Sequence, residues 1–122
     1  MNRNFDADRP IYIQLIERIK MMIASGEYGP GERVPAVREL AEQTAVNPNT
    51  LQRAMAELER EGLLISQRTS GRFITEDMKA IMDLKKELAS DQIRRFLEGM
   101  KAIGIPAEDA AKLILDYEEN ER

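Results

Sequence analysis

Residues 34–63 read VPAVRELAEQTAVNPNTLQRAMAELEREGL and contain two helical patterns separated by a short connection. Asn47 and Pro48 mark the start of the second pattern, because Asn is a good helix N-cap and Pro fits the first helical position. Apolar side chains recur at helical spacing on both sides of the connection. The stretch therefore predicts helices over about 36–44 and 48–61.

The flanking segments extend this pair into a larger arrangement. A helical pattern precedes it over about 10–25, and two β-like segments, 63–67 and 72–75, follow it on either side of a glycine-containing turn. Such a pair predicts a hairpin, and residues 32–34 form a candidate for a very short strand. One helix, two short helices and a hairpin is the order of a winged helix-turn-helix. Its expected core is Leu15, Ile19, Leu40, Leu51, Met55 and Leu58.

The composition changes at residue 76, where a long helix over about 76–102 and a last helix to about 119 carry an apolar stripe. Two helices of one chain cannot cover this stripe well, which predicts a partner surface; the alternative is packing against the chain's own first domain. The predicted fold class is mainly α with a small β-hairpin wing. Its domains are a winged helix-turn-helix over 1–75 and a two-helix dimerisation segment over 76–122. The expected dimer interface is Ile81, Leu88, Ile93, Phe96, Leu97, Met100, Leu113, Ile114 and Tyr117.

The composition excludes several kinds of chemistry. The 122-residue chain contains no Cys and no His, which rules out disulfides, thiolate zinc sites, thiol nucleophiles and Ser-His catalysis. No spacing of carboxylates indicates a metal site, so we expect a protein that is not an enzyme and uses no cofactor or metal. No apolar run is long enough for a transmembrane helix or a signal peptide. We therefore expect a cytoplasmic protein without a membrane partner.

The charge is distributed unevenly along the chain. The net charge is −4, yet residues 1–75 hold ten basic and ten acidic side chains, whereas residues 76–122 hold eight basic and twelve acidic ones. A nucleic-acid-binding protein needs a positive face rather than a positive total. Glu57, Glu59 and Glu61 lie in the last turns of the third predicted helix. The N-terminal half of that helix is therefore free to approach phosphates.

The third predicted helix has a second, polar face. Asn49, Gln52, Arg53 and Ala56 recur at positions i, i+3, i+4 and i+7. Asn and Gln can pair bidentately with adenine, and Arg can pair with guanine or contact a phosphate. This pattern favours insertion into a DNA major groove; the alternative is an ordinary solvated face.

Basic side chains also occur in the two neighbouring elements. Arg38 lies at the start of the second predicted helix, whose N-terminal amides can hold a phosphate; the alternative is an ion pair with Glu42 one turn later. The hairpin turn, residues 68–72, reads RTSGR. A basic tip with small residues suits a minor groove or a phosphate ridge, although solvent-exposed arginines in an ordinary turn are the alternative.

Four motifs occur in a fixed order over about residues 9–75, and together they resemble the GntR family of bacterial transcriptional regulators. They are PIYxQL at 10–15, SGxYxPG at 25–31, VPAxRELA at 34–41 and TxxRAxxxLExEGL at 50–63. The segment VNPNT at 46–50, followed by a C-terminal part of only about 45 residues, resembles the YtrA subfamily.

The resemblance implies DNA contacts in the second helix, at the start of the third helix and in the wing. Together with the basic residues above, the candidate DNA-binding positions are Ala36, Arg38, Asn47, Pro48, Asn49, Thr50, Gln52, Arg53, Arg68, Thr69, Ser70, Gly71 and Arg72. Two of them depart from the family pattern. Ser is common where Ala36 stands, which removes a hydroxyl contact, and Thr69 replaces the first glycine of the wing's Gly-x-Gly pair.

The resemblance also implies a function. GntR proteins of the YtrA subfamily suggest a homodimeric repressor that controls its own operon and an adjacent ABC transporter operon. Two recognition helices about one helical turn apart, ~34 Å, would bind an inverted repeat of double-stranded DNA with GT…AC-type half-sites. No convergent polar residues mark a small-molecule pocket, so a small-molecule effector is unknown, and the space between subunits is left open as a place for one. The alternative function is a winged-helix protein-interaction module that does not bind DNA.

Overall fold

The computed structural model describes residues 1–121, and within them the chain forms five helices and one two-stranded antiparallel hairpin. This confirms the predicted fold class of a mainly helical protein with a β-hairpin wing. The elements are α1 (Ile11–Ser25), α2 (Val37–Thr44), α3 (Pro48–Arg60), β1 (Leu64–Gln67), β2 (Gly71–Ile74), α4 (Met78–Ala102) and α5 (Ala107–Asn120). None of the helices in this part of the chain is long and apolar enough to cross a membrane.

Local signals set the ends of the first helices. α1 ends at Gly26, whose φ of 84° is left-handed and whose N–H donates to the carbonyl of Ile23. At the other end of α1 the buried amide of Gln14 donates to the carbonyl oxygens of Asp6 and Arg9, at 2.9 Å each, and accepts from the Asp6 N–H at 2.8 Å. This explains why a glutamine, rather than an apolar residue, stands in the core-facing position of the first motif.

The core of the first part of the chain forms where α3 packs against α1, α2 and β1. All six predicted core residues are buried, and Leu64 and Ile74 from the hairpin join them. Burying a Leu, Ile or Met side chain contributes about 1.5–3 kcal/mol relative to exposure. α3 is thus held on three sides, and its one remaining face is exposed.

The hairpin pairs Leu64 with Ile74 and Gln67 with Gly71. A third segment lies along β2: the Val34 N–H donates to the Arg72 carbonyl, and the Ile74 N–H donates to the Glu32 carbonyl, both at 2.9 Å. The expected short strand at 32–34 therefore pairs with the wing through an isolated bridge. It anchors the wing to the connection that leads into α2.

The described chain divides into two compact units, Met1–Lys85 and the residues from Lys86 onward. The first unit extends past residue 75 because the first turns of α4 bury Ile81 and Leu84 within it. Ile81 was expected in the dimer interface, and with only 5% of its surface exposed it belongs instead to the interior of the first unit. The apolar stripe of α4 is therefore buried at Ile81 and Leu84 and largely exposed in the later turns.

The second unit leaves most of its apolar side chains exposed. Gly104, with a φ of 83°, forms the turn between α4 and α5, and Ala110 is fully buried. A surface groove is lined by apolar side chains of both helices within this unit. These are Phe96, Met100, Leu113, Ile114 and Tyr117. Residues 97 and 88 are half-buried, and Ile93 is exposed.

Candidate nucleic-acid interface

The outer face of α3 is polar and open to solvent. Asn49, Gln52 and Arg53 are exposed, together with Ala56, while Leu51, Ala54, Met55 and Leu58 on the opposite face are buried. The helical spacing therefore separates a core face from a face that can contact a ligand. No acidic residue lies in the first turn of α3, so the positive end of its dipole is not neutralised there.

Asn47 has a structural task at the start of α3. Its side-chain Oδ1 accepts a hydrogen bond from the Asn49 N–H at 2.8 Å, and Pro48 follows in the first turn. Asn47 therefore acts as the N-cap, as its position in the sequence predicted. Thr50, one turn on, is half-buried, which leaves Asn49 as the exposed amide at this end of the helix.

Arg53 is held against an aromatic ring of α1. Its guanidinium carbon lies 4.5 Å from the centroid of the Tyr12 ring, a cation–π distance. The contact of Tyr12 with Arg53 is not predictable from the sequence, because no local pattern links residues so far apart in the chain. The ring restricts the rotamers of Arg53 without removing its hydrogen-bond donors.

A second arginine supports the wing turn. Nε of Arg33 donates to the Ser70 carbonyl at 2.9 Å. Gly71 adopts a φ of 103°, and a Cβ at this position would lie 3.1 Å from Arg33 Nε. The positive φ therefore favours glycine at position 71, and a larger residue there would also displace the Arg33 side chain by a few tenths of an ångström. Arg68, Thr69 and Ser70 form the exposed tip.

Arg72 belongs to β2 and does not lie at the wing tip. Its side chain extends from β2 toward α3. It forms an ion pair with Glu59, in which 20% of the Arg72 side chain and 30% of the Glu59 side chain are exposed. Its Nη1 also lies 3.5 Å from Oε1 of Gln52, on the polar face of α3. The sequence had suggested two equivalent wing arginines, Arg68 and Arg72, and the structure gives them different surroundings.

Each of the three acids near the end of α3 has a basic partner. Glu57 accepts hydrogen bonds from Arg60, Glu59 pairs with Arg72, and Glu61 lies 3.0 Å from Lys20 Nζ. The hydrogen bonds from Arg60, together with its charge, lower the pKa of Glu57 below its usual range. Each pair offsets part of the negative charge that opposes the approach of a polyanion.

Six arginines of the first unit have no carboxylate partner in the described residues, and three of them lie on the elements of the candidate interface. Within residues 1–121, Arg38, Arg53 and Arg68 form no ion pair with a carboxylate. The alternative pairing of Arg38 with Glu42 is thus not present. One of these arginines lies on α2, one on α3 and one in the wing. In the same described range no group of acidic side chains is arranged to hold a metal ion.

A helix-turn-helix whose second helix exposes a polar, cationic face, with a basic hairpin beside it, is the arrangement of winged-helix DNA-binding proteins. The family described as "Bacterial regulatory proteins, gntR family" matches residues 11–74. The chain belongs to the GntR family, and it is a transcriptional regulator rather than an enzyme.

Two relatives from Bacillus subtilis (strain 168) are similar over most of the chain. The "Uncharacterized HTH-type transcriptional regulator YhcF" is 36% identical over 98% of this chain and 98% of its own length. The "HTH-type transcriptional repressor YtrA" is 35% identical over 81% of this chain and 77% of its own length. The second relative supports the resemblance to the YtrA subfamily.

Two solved structures share the fold. A GntR family transcriptional regulator from Listeria monocytogenes has a TM-score of 0.84 and 36% identity, and the match covers 92% of this chain and 98% of that one. AraR(DBD), crystallised in complex with the operator ORX1, has a TM-score of 0.55 and 30% identity, and the match covers 59% of this chain and 93% of that one. The structure of this second neighbour contains operator DNA.

Proposed function

We propose that this regulator is a homodimeric repressor that binds an inverted-repeat operator in double-stranded DNA. The observation that carries the proposal is the exposed polar face of α3, which lies beside a basic wing and contains an arginine without an acidic partner. YtrA and NagR of Bacillus subtilis are relatives named as repressors, which supports repression rather than activation. The action of a bacterial repressor on chromosomal DNA places its work in the cytoplasm.

The contacts divide by type. Asn49, Gln52 and Arg53 would enter the major groove, where side-chain donors and acceptors distinguish base pairs. Arg38, Thr50 and the wing tip would contact phosphates or the minor groove, which fixes the register of the protein on the duplex. Ala36, Asn47, Pro48 and Gly71 would shape the backbone that approaches the DNA rather than read bases.

The second unit would supply the dimer contact. The groove lined by Phe96, Met100, Leu113, Ile114 and Tyr117 is exposed in a single chain, and a second copy offers an equally apolar surface to cover it. We assign DNA binding to residues 1–75 and pairing to residues 76–122, apart from the first turns of α4, which belong to the first unit. Two linked half-site contacts raise operator affinity by an effective-concentration effect.

A protein-interaction module without DNA binding is the competing function, and the balanced charge of the first 75 residues is the observation in its favour. The ion pairs of Glu57, Glu59 and Glu61 weaken that argument, because the acids are neutralised within the fold. A module that does not bind DNA also gives no reason for arginines without a carboxylate partner in α2, α3 and the wing.

The test is a mobility-shift titration with the promoter DNA upstream of the regulator's own gene, at several salt concentrations. We expect a specific complex whose affinity falls linearly on a log–log plot against salt, with a slope set by the number of phosphates contacted. DNA upstream of an adjacent ABC transporter operon is the second probe. The proposal is contradicted if the protein binds promoter and random DNA equally well, if its binding does not depend on salt, or if it binds neither DNA.

A further inference from the structure

Gln52, Arg72 and Glu59 form a chain of polar contacts that joins the reading face of α3 to the second strand of the wing. Arg72 Nε donates to Oε1 of Glu59, and Arg72 Nη1 lies 3.5 Å from Oε1 of Gln52. We propose that Arg72 is a positioning residue that sets which base Gln52 reads, rather than a residue that contacts a phosphate. This inference rests on the proposed function, because it concerns the specificity of the same interface.

The position of Arg72 argues against a phosphate contact. Its side chain is only 20% exposed and is paired with a carboxylate that is itself 30% exposed. To reach a phosphate, the guanidinium would have to leave this pair, and a partly buried carboxylate would lose its hydrogen-bond donor. Arg68 has neither constraint: it lies at the exposed tip and, within the described chain, has no carboxylate partner. A free arginine is thus available in the wing for a phosphate, and Arg72 is not needed there.

The contact to Gln52 has a chemical consequence. A glutamine amide has one acceptor oxygen and one NH₂ donor group, and the oxygen of Gln52 is turned toward the positive charge of Arg72. The NH₂ group is then the part presented to a DNA groove. Bidentate pairing with adenine needs both the oxygen and the NH₂, whereas guanine offers two acceptors, O6 and N7, at its major-groove edge. The geometry therefore favours guanine over adenine as the base that Gln52 reads.

Glu59 is the anchor of this arrangement. It lies on α3 near the end opposite Asn49, and it fixes the guanidinium from the side away from Gln52. If Glu59 is neutralised, Arg72 loses its charged partner and becomes free to move. The inference thus predicts that Glu59→Gln and Arg72→Met change specificity in the same direction, although one removes a negative charge and the other a positive charge.

The experiment selects binding sites from a library of duplex DNA with a randomised central segment, using the full-length wild type and four variants. Gln52→Ala identifies the base pair that Gln52 reads, as the position whose preference disappears. Arg72→Met keeps an aliphatic stem while it removes the donors, and Glu59→Gln releases the anchor. Arg68→Met is the matched wing control. Thermal unfolding checks that each variant is folded, and salt titrations on the selected sites give the phosphate count.

We expect the wild type to select guanine at the Gln52 position. In Arg72→Met and Glu59→Gln the guanine-to-adenine preference should fall by about 5-fold or more, which is the lower end of the discrimination carried by a good base contact. The salt slope of both should stay unchanged, whereas Arg68→Met should lower the slope by about 1 without changing the preference. In the Gln52→Ala background, Arg72→Met should have no further effect on base preference.

Several results would overturn the inference while leaving the proposed function intact. These are a lower salt slope with an unchanged preference in Arg72→Met, an adenine preference in the wild type, or a Gln52→Ala variant that keeps every preference. If Arg72→Met does not fold, the Glu59→Gln variant tests the inference by itself. Tighter DNA binding by Glu59→Gln with an unchanged base preference would then identify Arg72 as a phosphate contact. A folded wild type that enriches no sequence contradicts the proposed function itself, and the inference with it.

Discussion

Arg53 is the residue on which direct reading of DNA depends most. Its guanidinium stacks on Tyr12 and has no acidic partner within the described chain, so its donors are available and its rotamers are restricted. We expect Arg53→Ala to weaken operator binding by about 1–3 kcal/mol if the side chain contacts a base edge. The measurement is a shift titration on the operator.

Arg60→Ala is the matched control, because Arg60 lies on the same helix but is paired with Glu57 near its C-terminal end. It should lose much less affinity than Arg53→Ala, because Arg60 already has a carboxylate partner. Circular dichroism and melting should change little in either variant, since neither side chain belongs to the core. An Arg53→Ala variant that is folded and binds with wild-type affinity shows that this face of α3 does not enter the groove.

Ala45 carries backbone strain in the turn between α2 and α3. Its φ is 58°, and it is the only non-glycine residue with a positive φ among residues 1–121. A left-handed alanine costs about 1–2 kcal/mol, and the greater freedom of glycine in the unfolded chain offsets part of the gain. We expect Ala45→Gly to raise the free energy of unfolding by about 0.5–1 kcal/mol, as measured by urea denaturation.

Ala56→Gly is the control for that substitution. Ala56 is exposed in the middle of α3, where the same change should lower the free energy of unfolding by about 1 kcal/mol. Opposite signs at the two positions are the prediction; a loss of stability at both would show that Ala45 is not strained.

Single residues also show where reasoning from the sequence stops. Asn47 and Pro48 were assigned correctly because caps and helix starts depend on neighbours within a few residues. Tyr12, Arg33 and Arg72 owe their positions to contacts with distant parts of the chain, such as the Arg33–Ser70 hydrogen bond across 37 residues. Their roles follow from packing, which no local pattern encodes.

Among the elements, the wing is where charge and backbone geometry can be tested separately. Its exposed tip contains Arg68, and Arg33 braces the turn from behind. We expect Arg68→Ala to lower affinity similarly for all sequences and to reduce the salt slope by about 1, because a phosphate contact carries little sequence information. Salt titrations on operator and random DNA measure both effects.

Arg9→Ala serves as the control, since it removes the same charge from the first unit at a site paired with Glu17. Its salt slope should equal that of the wild type. A change of base preference in Arg68→Ala, with the slope unaltered, would assign the wing tip to base reading instead.

The helix ends were predicted to within two residues, and the largest difference, at the start of α4, has a clear cause. The sequence predicted α4 from residue 76, but the helix begins at Met78 because the side chain of Asp77 accepts hydrogen bonds from the N–H groups of Lys79 and Ala80. Asp77 is therefore the N-cap. From the sequence, Asp77 beside Glu76 looks like an acid in the first turn of a helix. Asp is common both there and at the N-cap, so the sequence alone does not show which of the two positions Asp77 occupies.

For the whole molecule, the assembly prediction depends on the second unit. Phe96 and Leu113 line its exposed apolar groove. We expect Phe96→Asp to abolish dimer formation, because an unpaired carboxylate would be buried in the interface. Sedimentation should show a monomer. Operator affinity should fall by about 100-fold or more through the loss of linked half-site binding.

Arg95→Asp places the same side chain at the neighbouring exposed position of α4 and should stay dimeric. Circular dichroism should show that the first unit of Phe96→Asp remains folded, since its core is made of other residues. A dimeric Phe96→Asp protein places the interface elsewhere, and a fully unfolded one contradicts the two-part organisation.

Ile81 shows why the partner surface could be predicted only in part. The helical pattern grouped it in one apolar stripe with Phe96 and Leu97, on the same helix α4. Periodicity reports which residues share a face, but not which body covers each part of it. The first turns of α4 are covered within the first unit, and the later turns are exposed.

The pairing of the acids at the end of α3 has a consequence for how few copies of the protein a cell needs. A regulator competes for its few operators against millions of other positions on the chromosome. Proteins with a large positive surplus are held on arbitrary sequence by the release of counterions. Here the surplus is absent and the positive charge is local, so for the repressor proposed above we expect the rest of the chromosome to compete weakly and a small pool of molecules to occupy an operator.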